Sequence, residues 1–188
     1  KGDERIVKDM RCPHEKDNAE EGADPMAKTG GMPKYAIILD NDDVIVVNKT
    51  AGTLVPPTRS SNEYTLMDAL VEHAPQIATV GDKPEERAGI VHRLDRMTSG
   101  VMIAAKTQSA FADLKNKFQK RFVYKKYRAL VLGSVQKDHD TIQLRIARSK
   151  SAGRMVARPE SQDGKEAITD YQVLQRYANA TEVDVDIH

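Results

Sequence analysis

One cysteine, Cys12, stands among the 188 residues, so no internal disulfide can form. Metal-ligand spacing is missing too. Cys12 and His14 sit two apart with no second pair, and read as a bystander thiol and a solvated imidazole. No apolar run approaches the roughly 18 residues a helix needs to cross a bilayer, so nothing here reads as such a span. No internal repeat is evident. What is left, 39% hydrophobic and 30% charged residues, is the composition of a folded globular chain. Its length suits one domain with one sizeable core, with room for an appendage.

The net charge is only +1, but it is unevenly spread. Residues 87–158 hold 17 Lys and Arg against 4 Asp and Glu, an excess of +13, while 1–33, 34–86 and 159–188 come to −2, −5 and −5. A cationic middle between acidic flanks points to a polyanion partner. The alternative is a set of basic side chains whose acidic partners lie elsewhere in the fold, and charge alone does not choose. The chain opens on Lys1 and closes on His188. It is expected to be a piece of a longer protein, with any targeting signal at the true terminus out of view.

Residues 1–33 are rich in Asp, Glu, Lys, Gly and Pro and lack hydrophobic period, and read as a charged linker. The partial domain expected over 34–188 opens on a hairpin. YAIILD (35–40) and VIVVN (44–48) are β-branched and apolar, with Asn41, Asp42 and Asp43 as turn residues between them. After the loop TAGTLVPPTRSS, a helix is predicted over 65–73, capped by Thr65, with Leu66, Ala69, Leu70 and His73 on one face and Pro75 as its stop. A polar loop with Gly81, Pro84, Glu85 and Glu86 leads to two predicted strands, GIVHRL (89–94) and VMIAAK (101–106), joined by the turn DRMTSG. A second helix is predicted over 109–121, capped by Ser109, with Phe111, Leu114 and Phe118 as a core stripe. Four more strands follow: FVYKKYRALVLG, TIQLRIA (141–147), EAITDYQVL (166–174) and TEVDVDI (181–187). In the last, Val183, Val185 and Ile187 alternate with acids, as in a half-buried strand. The sum is an α+β fold on a mostly antiparallel or mixed sheet with a few flanking helices.

The chemistry concentrates in HRLDRMTSG (92–100). Asp95, Thr98 and Ser99 occupy a short turn flanked by His92, Arg93 and Arg96. A carboxylate among arginines stays ionised, which suits a nucleophile, a base or an ion pair. Taken alone, the segment favours the plainer use, a turn cap paired with Arg96 at the surface.

The wider context changes the weighting. GIVHRLDRMTSG resembles the signature HRLDxxTSG of the RluA/RluD family of pseudouridine synthases. Other segments fall in the family's order: ILDNDDVIVVNKTAG (38–52) is similar to its opening hairpin and NKPxG turn, and YTLMDAL (64–70) to its first helix. VYKKYRAL (123–130) resembles the strand bearing its tyrosine, and GKEAITDYQVL (164–174) its GKxAxTxYxVL segment. The resemblance covers about 35–188. Two departures stand out. Thr50 occupies a position where the family commonly has Pro, leaving the turn less pre-set in φ. After VDVDIH the family continues into a TGRTHQIR-like run, whose basic residue pairs with the aspartate, and this chain ends before it.

The resemblance implies isomerisation of uridine to pseudouridine in structured RNA, ribosomal or transfer, with no cofactor and no metal. It implies Asp95 as the catalytic carboxylate, attacking sugar or base or first removing a ribose proton; the sequence leaves these open. Tyr127 would lie against the flipped uracil and assist proton removal at carbon 5. Arg93, Arg96, Thr98, Arg128 and Arg148 form the implied substrate-binding set, with Arg93 able to hold a phosphate or pair with an acid. Lys125, Lys126, Arg145 and Arg154 are further backbone-contact candidates. His92 is assigned to packing. The enzyme is expected to be monomeric and off the membrane, in the cytoplasm, or in an organelle or nucleus of a eukaryote. Without the basic partner, the 188 residues alone are expected to be nearly inactive, with Val183, Val185 and Ile187 as an uncovered apolar edge. The competing readings are a noncatalytic RNA-binding fragment of such an enzyme and a structural domain with an accidental charge pattern. KGDERI and RCPHE near the start faintly resemble the tail of a preceding RNA-binding domain, though a plain charged linker is the preferred reading of them.

Overall fold

The computed structural model describes residues 31–55, 62–149, 154–159 and 161–188. The expected linker, with Cys12, His14 and the KGDERI and RCPHE segments, lies outside the described residues except at its last three positions. So does the 56–61 part of the loop after the first hairpin. The described residues fall into two compact units, one ending at Phe122 and the other running from Val123 to His188.

The first unit is built on the predicted hairpin, β1 (Tyr35–Asp40) and β2 (Val44–Lys49). Asn41 makes its turn: the side-chain oxygen accepts from the backbone N–H groups of Asp43 and Val44 at 3.0 and 2.9 Å, an Asx turn. β3 (Gly100–Ala105) pairs antiparallel with the other edge of β2. Strand alternation turns Ile45, Val47 and Lys49 of β2 into the core. Helix α1 (Leu66–His73) starts where its cap predicts. The Thr65 hydroxyl accepts from the Asp68 N–H, and the Asp68 carboxylate accepts from the Thr65 N–H at 2.9 Å, a capping box with Asp in the place of Glu. Leu66, Met67, Ala69 and Leu70 are buried by it. Pro75 ends α1 by opening a 3-10 turn, Pro75–Thr79. The loop read around Pro84 holds a single helical turn, α2 (Pro84–Arg87), with Pro in the first-turn position that tolerates it. Helix α3 (Gln108–Gln119) is capped by Thr107, not Ser109; the Thr107 hydroxyl accepts from the Ala110 N–H at 3.2 Å. Phe111 of α3 packs in the core with Val80 and Ala105.

GIVHRL is not a strand, contrary to its pattern. It meets β3 through one bridge, Ile90 to Ala104, and beyond it the His92 ring accepts from the Ile103 N–H. A side chain takes the ladder position that the backbone of this segment would otherwise fill. Gly89 starts the departure with φ +66; a Cβ there would lie 2.5 Å from the Ala105 carbonyl oxygen, so only glycine fits.

The second unit is a five-stranded sheet in the order β4-β8-β7-β5-β6. Its strands are β4 (Lys126–Leu132), β5 (His139–Arg148), β6 (Met155–Arg158), β7 (Lys165–Arg176) and β8 (Ala180–Ile187). Every pairing in both sheets is antiparallel, which makes the fold α+β without the mixed sheet. β4 begins at Lys126 rather than Phe122, and β6 had no counterpart among the predicted strands. The apolar edge expected at Val183, Val185 and Ile187 is corrected: β8 lies inside the sheet between β4 and β7, and β4 and β6 form its edges. No helix among the described residues is long and apolar enough to cross a membrane.

Candidate active site

The segment 92–100 is fixed by His92 and Leu94 and exposes most of its other side chains. The His92 ring stacks on Phe118, centroids 4.5 Å apart, and its Nε2 accepts the Ile103 N–H at 3.1 Å. Burial pushes the His92 imidazole below its ordinary value, consistent with a neutral ring whose Nε2 is free to accept. Leu94 is buried. Between and beyond these anchors Arg93, Asp95, Arg96, Met97 and Ser99 are exposed, and Thr98 is half-buried. The turn closes when the Thr98 N–H donates to the Asp95 carbonyl at 3.0 Å. Among the described residues the Asp95 carboxylate makes no hydrogen bond and no ion pair.

Arg96, the surface partner expected for Asp95, is turned elsewhere. Its guanidinium grips both carboxylate oxygens of Glu63, at 3.1 and 3.0 Å, and Nε donates to the Gly52 carbonyl at 3.1 Å. Gly52 answers by donating its N–H to the Arg96 carbonyl at 2.8 Å. Gly52 has φ +90, the left-handed region that favours glycine. The loop after β2 is thereby tied to the Asp95 turn. Thr50 has its own compensation for not being proline: its N–H and hydroxyl both donate to the Lys34 carbonyl, at 3.2 and 2.7 Å. Proline has neither donor. A cavity of about 270 Å³ opens here, lined among others by Lys34, Thr50, Gly52, Glu63 and Arg96, but not by Asp95.

One member of this arrangement was missed by sequence reasoning. Lys49 is fully buried, at 0% exposure, and its Nζ donates to the carbonyls of Thr50, Thr53 and Arg96 at 3.1, 3.0 and 3.1 Å. Burial pushes its ammonium below the ordinary lysine range, and the negative charge of Asp95 acts in the opposite direction. The available signal was register. A lysine in phase with Ile45 and Val47 sits on the inward face of the strand.

Tyr127, Arg128 and Arg148 belong to the second unit. Tyr127 is half-buried on β4, opposite Val185 of β8. Arg128 pairs with Asp184 at 3.1 Å and Glu182 at 3.6 Å, and Lys126 with Asp184 at 3.0 Å. Arg145 donates to the Gly164 carbonyl at 3.1 Å. Lys125 is half-buried; Arg148 and Arg154 are exposed, at the hairpin end of β5 and β6. Part of the +13 of the middle segment is thus met by acids of the flanks, Lys106 on Asp40 and Lys126 on Asp184 being two cases.

An antiparallel α+β fold that presents an open carboxylate on a pinned turn defines a candidate acid–base or nucleophilic site. Known proteins narrow the class. The RNA pseudouridylate synthase family matches residues 43–188, and this chain belongs to that family. An uncharacterized RNA pseudouridine synthase of Aquifex aeolicus (strain VF5) is 41% identical over 155 residues, 81% of this chain and 48% of that protein. The ribosomal large subunit pseudouridine synthase D of Nitrosomonas europaea is 39% identical over 145 residues, 77% of this chain and 40% of that protein. Among solved structures, human RNA Pseudouridylate Synthase Domain Containing 1 is similar with a TM-score of 0.64 and 26% identity, covering 86% of this chain and 62% of that one. The chain spans about half the length or less of these curated relatives.

Proposed function

We propose that this chain carries the catalytic carboxylate of an enzyme that isomerises uridine to pseudouridine in ribosomal or transfer RNA, and that Asp95 is that carboxylate. The observation that carries the reading is the state of Asp95. It is exposed and makes no hydrogen bond among the described residues, on a turn held by the Thr98 N–H and by Arg96, inside the segment that resembles the family signature. A structural aspartate in this position would be expected to hold Arg96, and Glu63 does so instead.

The chemistry asks little else of the chain. The bond from the ribose anomeric carbon to N1 of uracil breaks, the base turns, and the sugar rejoins at carbon 5. The proton lost from carbon 5 is balanced by one gained at N1, so the product has the composition of the substrate. A carboxylate stabilises positive charge developing on the sugar, or takes the first proton. The uridine must leave its stack to be reached. Tyr127 suits the stacking role, and Arg93, exposed beside Asp95, suits a phosphate; Arg96, Thr98, Arg128 and Arg148 complete the proposed contacts.

The test is pseudouridine mapping on ribosomal and transfer RNA treated with the full-length protein. Asp95→Asn, folded by circular dichroism, is expected to lower product formation by about a thousand-fold while RNA is still bound. Binding without product in the wild type would favour a noncatalytic RNA-binding role. Product from Asp95→Asn at the wild-type rate would remove Asp95 from the chemistry.

A further inference from the structure

The end of α3 combines a strained backbone, two cations without partners and an aromatic ring left in solvent. Arg121 has φ +58 and is the one non-glycine residue with positive φ among the described residues. It stands just past the helix, in the place glycine usually takes in a Schellman ending. The Arg121 N–H donates to the Phe118 carbonyl at 3.2 Å, and the Phe122 N–H donates to the Lys117 carbonyl at 2.9 Å. A side chain disfavours this left-handed conformation, so the guanidinium is kept at a cost to the helix end. In such an ending the next residue commonly packs back on the last helical turn. Phe122 holds that position and is 74% exposed.

The cations here differ from those one turn earlier. Lys115 and Lys117 are held by Asp82 and Asp113, at 2.6 and 2.7 Å. Lys120 and Arg121 are exposed and make no ion pair among the described residues. Basic residues at a helix C-terminus complement its dipole, which would account for two cations. It accounts neither for an arginine in a glycine position nor for a phenylalanine beside it in water. An aromatic face flanked by free cations suits an unpaired nucleotide, whose base stacks and whose phosphates pair with the charges. The place in the unit fits as well. Phe118, in the last turn of α3, stacks on His92 with centroids 4.5 Å apart, and the chain runs on from His92 through the exposed Arg93 to Asp95. The end of α3 therefore packs on the segment that carries Asp95.

We propose that Lys120, Arg121 and Phe122 form a second RNA contact of this unit. Phe122 stacks on an unpaired base next to the target uridine, and Lys120 and Arg121 neutralise the phosphates flanking that base. The proposal rests on the reading of the chain as an RNA uridine isomerase. It adds a preference among RNAs: a uridine in an unpaired loop is favoured over one inside a continuous stem.

The experiment uses the full-length protein and two RNAs, a stem-loop with a uridine in its unpaired loop and the same stem closed into an uninterrupted duplex. Phe122→Ala is expected to lower stem-loop affinity about ten-fold, the scale of one lost base stack, and to leave duplex affinity within about two-fold. Its slope of log K against log salt should equal that of the wild type, because no charge is lost. Phe122→Trp, which keeps a stacking face, should retain the stem-loop affinity. Arg121→Gly is expected to hold or raise the melting temperature, since glycine suits the left-handed position. It should nevertheless weaken stem-loop binding about five-fold and reduce the salt slope by about 0.7. A role confined to the helix end predicts unchanged binding for both Arg121→Gly and Phe122→Ala, and that result overturns the proposal. So does a Phe122→Ala protein that loses stem-loop and duplex affinity equally. Failure of the wider reading looks different: the wild type would bind neither RNA and form no pseudouridine, which removes this contact along with the isomerase.

Discussion

The two units are built from the same kind of strand and bury their side chains very differently. Among the described residues every deeply buried apolar side chain except Val183 belongs to the unit ending at Phe122. There, α1 lays Leu66, Met67, Ala69 and Leu70 into the core, and α3 adds Phe111. From Val123 on, the described residues hold no helix, and β4 alternates between half-buried and exposed positions along its whole length. The difference teaches where rigidity resides. Asp95 is carried by a turn anchored in a packed core, which suits the catalytic role proposed for it. Tyr127, Arg128 and Arg148 are carried by a sheet whose residues are mostly half-buried or exposed.

Truncating one leucine in each unit puts the largest expected effect on this contrast. Leu70 is 1% exposed and Leu132 is 86% exposed. Leu70→Ala is expected to cost about 2–5 kcal/mol in urea unfolding, through lost transfer energy and the cavity left behind. Leu132→Ala is expected to stay within about 0.5 kcal/mol of wild type. Equal losses would mean that Leu132 is covered in solution, and the contrast between the units would fall.

The fold was legible where local chemistry decides it. The hairpin at Asn41, the Thr65 cap and the alternation of β8 act within a few residues, and all three were visible in the sequence. GIVHRL misled because its apolar, β-branched start reads as strand, while the outcome depended on a histidine ring taking a backbone position on β3. Asp95 was singled out by the order of motifs around it, and its catalytic role is the proposal made above. Lys49 was not, because lysine is almost never fully buried, and its role depends on a carbonyl 47 residues away. Arg96 was assigned to Asp95 by proximity in sequence, and Glu63, 33 residues back, takes it instead.

A middle-sized effect separates the units by pH. His92→Leu removes the acceptor for the Ile103 N–H and is expected to cost about 1–3 kcal/mol near neutral pH. The sign of its pH dependence follows from burial, which holds the folded His92 below its ordinary 6.5. Between the two values the unfolded chain binds more protons, so stability rises with pH. The His92 contribution is thus fully present above 6.5 and is lost as pH falls through the folded value. The wild type should therefore lose its advantage over His92→Leu on acidification. In the second unit the lowered groups are carboxylates: Asp184 is held down by Lys126 and Arg128, and Asp140 by Lys137 and the Thr141 N–H. Their contributions persist down to the ordinary 3.8 and fade only below it. Asp40, held down by Lys106 and His73, behaves the same way inside the first unit. Amide exchange against pH should show the 92–103 region loosening first; simultaneous loosening of β4 and β8 near pH 6 would contradict this ordering.

The smallest effect tests what the open sheet is for. Arg128 is two-thirds exposed and pairs with Asp184 and Glu182 across the β4–β8 ladder. Exposed pairs of this kind contribute about 0–1 kcal/mol, so Arg128→Ala is expected to leave the melting transition almost unchanged. If Arg128 also reaches an RNA phosphate, affinity should fall for every RNA alike, and the slope of log K against log salt should drop by about one. Leu70→Ala should show the opposite pattern, a lowered melt with the salt slope kept. An Arg128→Ala protein with an unaltered slope would assign the guanidinium to the sheet alone, and the basic excess of 87–158 would then be that much more a matter of internal pairing than of RNA.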